Sequence, residues 1–196
     1  MRQRVRGRSR LARALRLAGL ALTAALGSGC TGLPSGVKPV EGFELPRYLG
    51  HWYEIARLDH PFERGLTHVS ATYTRRKDGG VRVVNRGYDP AAGEWREAVG
   101  KAYPIGRPGQ GRLKVSFFGP FYSSYNIIAL GPDKPASPGG PYRYAMVCGP
   151  NRSYLWILAR SPRLDAATYG RLIEKARALA FDADALIRVD QATGGD

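Results

Sequence analysis

The sequence predicts an all-β domain of eight consecutive antiparallel strands, either a closed up-and-down barrel or a sandwich of the same strand number, with one helix after the last strand. Three observations lead there. From residue 48 to 160 short β-prone runs recur, each followed by a cluster of Gly, Pro, Asn or Asp. No connection between them is long enough to hold a crossover helix, so neighbouring strands run antiparallel. Past Ser161-Pro162 the apolar period changes from that of a strand to that of a helix.

The first run, 52–58, follows Gly50, where the missing Cβ permits a tight entry, and it ends before Pro61. Alternation puts Trp52, Glu54, Ala56 and Leu58 on one face and Tyr53, Ile55 and Arg57 on the other; both faces carry large apolar groups, so both should be covered. Runs 69–75 and 81–88 are joined through Asp78-Gly79-Gly80, a short-hairpin signal. Runs 94–103, 112–118, 125–130, 142–148 and 154–160 complete the set. In the third, Val81, Val83 and Asn85 alternate with Arg82, Val84 and Arg86; in the fifth, Leu113, Val115 and Phe117 alternate with Lys114, Ser116 and Phe118. Each turns a mostly apolar face inward. Asp165 is placed to cap the helix, whose Tyr169, Leu172, Ile173, Ala176, Leu179 and Ala180 share one stripe. That stripe needs a finished surface, and the outward Tyr53 and Ile55 are the expected partners. Residues 186–189 read as a further short strand.

A leader precedes the domain. Seven arginines and no acid stand before residue 30, the apolar run 17–26 follows, and Gly27-Ser28-Gly29 lead into Cys30. This is the order of an export signal, and its apolar run falls short of the about 20 residues of a membrane span. A cysteine after small residues resembles a bacterial lipoprotein cleavage site, although Gly27 stands where such sites usually carry Leu. Residues 1–29 are therefore expected to be the signal, Cys30 the lipidated residue, 30–45 a lipidated end with a flexible Pro/Gly tether, 46–190 the barrel with its helix, and 191–196 a polar tail. An ordinary cleaved signal that leaves Cys30 a free thiol is the alternative. Thr31 favours the outer membrane, since an Asp there would resemble an inner-membrane retention signal. Cys148 lies in an apolar run and reads as a small buried hydrophobe; a Cys30–Cys148 disulfide stays open only without lipidation.

The formal charge of +14 invites a nucleic-acid reading, but removing the seven leader arginines from 30 basic residues leaves 23 against 16 acids, or +7. That remainder suits anionic lipid headgroups equally, so no nucleic-acid partner is expected. His51, His60 and His68 match no metal-ligand spacing, and no nucleophile and base stand out. Neither a metal, a cofactor nor catalysis is expected; a barrel enzyme acting on a lipid or other small hydrophobic ligand is the second reading.

In an eight-strand up-and-down order the start of the first strand and the end of the eighth lie at one end, bringing Arg160 beside Trp52 as a cation–π pair. Gly50-His51-Trp52 with Arg160 resembles the Gly-x-Trp and terminal-Arg signatures of the lipocalins. Residues 48–57, Phe62-Glu63-Arg64-Gly65-Leu66, Gly100-Lys101-Ala102-Tyr103, 113–122, Val147-Cys148-Gly149-Pro150 and 154–160 resemble the bacterial outer-membrane subgroup of that family. The resemblance covers nearly all of 46–190, departing at 131–141, which is long and rich in Pro and Gly. It implies an eight-stranded antiparallel up-and-down β-barrel with the C-terminal helix packed outside. It also implies a lipid-binding protein of the outer membrane that stores or moves fatty acids or lysophospholipids at the envelope.

Strand direction then places the mouth at 59–67, 89–93, 119–124 and 149–152. Phe62, Arg64, Phe121, Tyr122 and Arg152 stand at its rim, suited to an acyl tail with an anionic head. Face parity nominates Glu54, Ala56, Ala71, Tyr73, Val83, Asn85, Asn126, Ile128, Tyr144, Met146, Trp156 and Leu158 as ligand-lining residues, any of which could instead simply fill the barrel. Gly50, Trp52 and Arg160 belong to the closed base. Glu54 either pairs with a basic side chain or holds a proton, and the sequence leaves this open, as it leaves the oligomeric state.

Overall fold

The computed structural model describes residues 31–132 and 139–192; Cys30, the leader, the end of the tail and most of the 131–141 loop lie outside the described residues. A short helix α1 (Leu45–Tyr48) leads into β1 (Gly50–Arg57), β2 (Thr67–Arg75), β3 (Val81–Asp89), β4 (Glu94–Pro104), β5 (Arg112–Ser116), β6 (Ser123–Gly131), β7 (Tyr144–Cys148) and β8 (Leu155–Ala159). Helix α2 (Ala166–Ala178), a 3-10 turn (Ala183–Ala185) and β9 (Ile187–Arg188) follow. Each strand pairs antiparallel with the next, and β1 joins both β2 and β8, so the sheet closes into an eight-stranded barrel.

Two apolar clusters result because the wall is covered on both sides. The inner one draws on every strand: Trp52, Tyr73, Val83, Ala102, Leu113, Ile127, Val147 and Leu158 are among its members. The outer one joins Ile55, Met146 and Ile157 to Leu172 and Ala176 of α2, with Tyr53, Tyr169, Ile173 and Leu179 packed against it. The helix begins where Asp165 Oδ1 accepts the Thr168 N–H at 2.8 Å. Two residues past its end Ala180 takes the left-handed region at φ +58, and the Phe181 N–H donates back to the Ala176 carbonyl at 3.0 Å.

Strand β1 breaks strict alternation. Glu54 pairs with Leu158 but Ala56 pairs with Ile157, leaving Ile55 as an extra, bulged residue. The period resets there: Glu54 faces inward, Ala56 joins the helix-side cluster, and Arg57 turns inward although simple alternation predicts the opposite. Above the bulge β1 pairs with β9. Gln191 Nε2 then donates to the Glu54 carbonyl at 2.8 Å and the Val69 carbonyl at 2.7 Å, stitching β1 to β2.

The flexible tether expected before the barrel is instead a strap on its wall. Val40 N–H donates to the Ile127 carbonyl and Gly111 N–H to the Val40 carbonyl, each at 2.8 Å. Arg112 Nη2 holds the Thr31 carbonyl at 3.0 Å, and Asn126 Nδ2 the Gly32 carbonyl at 3.2 Å. Val37 and Phe43 are buried. The segment binds because its apolar residues meet the clusters while its backbone satisfies groups on the β5 and β6 side.

Candidate functional site: the barrel interior and its mouth

The closed end is built around Arg160. Its guanidinium lies 3.9 Å from the centre of the Trp52 ring. It donates to five carbonyls: Arg47 (3.1 Å), Tyr48 (3.1 Å), Leu49 (2.7 Å), His51 (2.7 Å) and Tyr142 (3.1 Å). A Cβ on Gly50 would meet Arg160 Nη1 at 3.2 Å, and φ there is +99, which favours glycine. Just above, the Tyr125 hydroxyl joins those of Tyr48 (2.6 Å) and Tyr73 (2.8 Å), so these buried hydroxyls satisfy one another.

Toward the mouth the bulge in β1 sets up a buried polar cluster. Arg57 Nη1 donates to Glu54 Oε1 at 2.8 Å, and Nη2 donates to the carbonyls of Glu63 at 2.7 Å and Leu66 at 3.2 Å. Glu63 comes from the β1–β2 loop, and its Oε2 accepts from Trp156 Nε1 at 3.1 Å. His60 Nε2 stands 3.2 Å from the same oxygen, yet neither ring nitrogen has a hydrogen-bond partner among the described residues, and neither has Arg57 Nε. Burial, with the charge of Glu63 added, pushes the Glu54 carboxyl well up, against the pull of Arg57. Burial likewise raises Glu63, opposed by Trp156 and Arg57. Burial, with Arg57 nearby, lowers His60 to about 4 and keeps it neutral at pH 7. Of the alternatives open from the sequence, Glu54 has the arginine partner, and its burial also shifts the carboxyl toward holding its proton.

The cup opens on the β3–β4–β5 side. Only Lys101 to Pro104 of β4 pair with β5, and residues 94–99 are exposed on both faces. Ala98, Gly100 and Ala102 make the inner face of β4 small. At the rim Phe62, Phe118 and Phe121 stand 62%, 83% and 72% exposed.

A closed eight-stranded cup with a Trp–Arg base, a C-terminal helix outside and one open end agrees with the match of residues 43–191 to the family of the lipocalin-like domain. The chain is a lipocalin. It is 50% identical to Outer membrane lipoprotein Blc of Vibrio cholerae over 172 residues, 88% of this chain and 96% of that protein. It is also 50% identical to Outer membrane lipoprotein Blc of Escherichia coli K12 over 158 residues, 81% and 85% of the two chains. Insecticyanin of Manduca sexta shares the fold at a TM-score of 0.61 and 22% identity, over 81% of this chain and 86% of that one. The protein is a lipid-binding lipocalin of the outer membrane, held there by a lipid anchor.

Within the lipocalin barrel the structure gathers Ala71, Tyr73, Val83, Trp156 and Leu158 in or against the inner cluster, with Glu54 beside them. Asn85 shares their face, and its Oδ1 has no hydrogen-bond partner among the described residues. Five expected lining residues are corrected. Ala56, Ile128, Tyr144 and Met146 pack in or against the helix-side cluster, and Asn126 bridges the Gly32 and Gly149 carbonyls, each at 3.2 Å, on the wall under the strap. The bulge displaced Ala56. In β6 and β7 both faces are buried, so parity favoured the larger residues although the smaller Ala145 and Val147 face inward.

Two rim expectations change too, and a third residue, Arg64, keeps its exposed place in the mouth loop but is already paired. Arg152 Nε donates to the Leu179 carbonyl at 2.9 Å and Nη2 to that of Ser35 at 2.6 Å, clamping the end of α2 to the strap. Arg64 is paired to Asp59 at 2.6 Å. Tyr122 lies on the outer wall, with Lys114 Nζ 4.8 Å from its ring centre. Arg57, His60 and Glu63 were missed as site residues, because only the bulge and the path of the loop bring them in.

Proposed function

We propose that this lipocalin stores or carries fatty acids or lysophospholipids at the envelope, as a binding protein rather than an enzyme, anchored through Cys30. The observation that carries the reading is the cup itself: an apolar base, small residues on the inner face of β4, and a polar cluster one level below the rim. Each methylene taken from water contributes about 0.8 kcal/mol, so an acyl tail supplies roughly 10 kcal/mol before ordering costs. The described cysteine, Cys148, is buried with its thiol pushed up to about 12 by desolvation, which suits a wall residue and not a nucleophile.

Mass spectrometry of lipid extracted from the purified Cys30→Ala chain, with tryptophan-fluorescence titration, tests the binding. Acyl species that co-purify and a saturable response to fatty acid or lysophospholipid are expected; the absence of both overturns the reading. Release of fatty acid from a lysophospholipid would favour the enzyme instead. For the anchor, Cys30→Ala should leave the outer-membrane fraction, and its retention there overturns the assignment of Cys30.

A further inference from the structure

Inside the mouth three hydrogen-bond donors converge: the Arg57 guanidinium, the Trp156 indole N–H and the His60 ring. Arg57 is 2% exposed, and both its Nε and the His60 nitrogens lack hydrogen-bond partners among the described residues. Buried donors are nearly always satisfied in native proteins, and a cluster of unmet ones calls for an acceptor. The acceptors already present are the Glu54 carboxyl, 2.8 Å from Arg57 Nη1, the Leu66 carbonyl, 3.2 Å from Arg57 Nη2, and two groups of Glu63: its carboxyl, held at 3.1 Å by Trp156, and its backbone carbonyl, held at 2.7 Å by Arg57. Glu63 arrives on the loop between β1 and β2, where Gly65 (φ +78) has open space around it. The inner faces of β3 and β4, small at Ala98, Gly100 and Ala102, line the same interior.

We propose that Arg57, His60 and Trp156 form the head-group subsite for a single-tailed anionic amphiphile, with Glu63 seated where the anionic oxygens of that head bind. This rests on the lipid-binding reading above and adds the residues that read the head. A carboxylate or phosphodiester presents two oxygens to the planar guanidinium, a match that a hydroxyl head lacks. The Glu63 carboxyl therefore competes with the ligand head, and removing it frees the Trp156 N–H and the His60 edge that faces it, beside the Arg57 Nε that has no hydrogen-bond partner among the described residues.

The test compares lauric acid, dodecan-1-ol and lauroyl lysophosphatidylglycerol by fluorescence titration of the Cys30→Ala chain, alone and with Arg57→Met or Glu63→Ala. The parent should prefer acid over alcohol about tenfold, and Arg57→Met should abolish that preference, so that acid and alcohol bind the variant alike. Glu63→Ala should tighten the acid severalfold relative to the alcohol. Loss of preference for the acid alone assigns a carboxylate head, and loss for the lysolipid as well assigns the shared anionic chemistry. An acid-to-alcohol ratio unmoved by Arg57→Met overturns the subsite and leaves Arg57 a structural clamp. Should Arg57→Met fail to fold, an unmoved or reduced ratio in Glu63→Ala overturns it equally. If the parent binds none of the three, the lipid-binding reading falls and takes the subsite with it; binding of all three without preference overturns the subsite alone.

Discussion

Glu54 and Arg57 are three residues apart in one strand, a spacing that regular pleating sends to opposite faces, yet Arg57 Nη1 meets Glu54 Oε1 at 2.8 Å inside the barrel. The bulged Ile55 makes the meeting geometrically possible. Both groups are buried, and the carboxyl keeps its proton well above the ordinary range. A raised folded value means that the associated stability is fully present below the unfolded carboxyl value and is lost as pH rises through the folded one. Glu54→Gln imitates the protonated acid and removes that loss. Urea unfolding at pH 5 and pH 8 should therefore show the parent losing stability between them, with the variant losing less.

His60 acts in the opposite sense. Its folded value, about 4, lies below the ordinary 6.5, so its contribution is complete above pH 6.5 and declines as pH falls toward 4. The ring stacks on Phe62 at 4.1 Å between centres. Phenylalanine can keep that stack, and His60→Phe should hold its urea midpoint between pH 6.5 and 4 better than the parent does. Glu54, Glu63, Asp59, Arg57 and Arg64 are the charged groups around it, and they are common to both proteins.

At the base, Arg160→Lys should destabilise by about 3 kcal/mol or more, read by urea unfolding. A single ammonium cannot span five carbonyls and also lie flat on an indole, so several buried acceptors lose their donors. A change near zero would show that the base closes without the guanidinium.

Ala180 offers a gain. It occupies the left-handed region at the end of α2, where a Cβ costs about 1 kcal/mol that glycine does not. Ala180→Gly should raise the thermal midpoint by a few degrees without altering ligand binding.

Turn chemistry and apolar runs made the strand count legible, since Gly, Pro, Asn and Asp act locally and need no tertiary partner. Asp165 was legible for the same reason. The Trp52–Arg160 pair followed from counting strands, because an even number returns the chain to its starting end. The interior polar cluster was not legible. A bulge is a mismatch between two strands, and nothing in the residues from Glu54 to Arg57 announces which one is extra. Parity also fails where helix and barrel compete for the same strand: Tyr144, Met146 and Cys148 look as suitable for a lining as Ala145 and Val147. The strap escaped notice because Pro and Gly suggest freedom, whereas its contacts come from residues far along the chain, Gly109, Arg112, Ile127 and Arg152 among them.

The strap changes what a lipid anchor does. Thr31 is fixed through its carbonyl to Arg112, and one peptide unit, about 3.8 Å, separates it from residue 30. An acyl group on Cys30, as proposed above, would moor the barrel and not leash it, keeping the flank that carries the strap and the start of β5 close to the bilayer. Cargo exchange would then depend on the angle at which the mouth is held, and a few residues inserted between Cys30 and Thr31 would alter which neighbours the cup could serve.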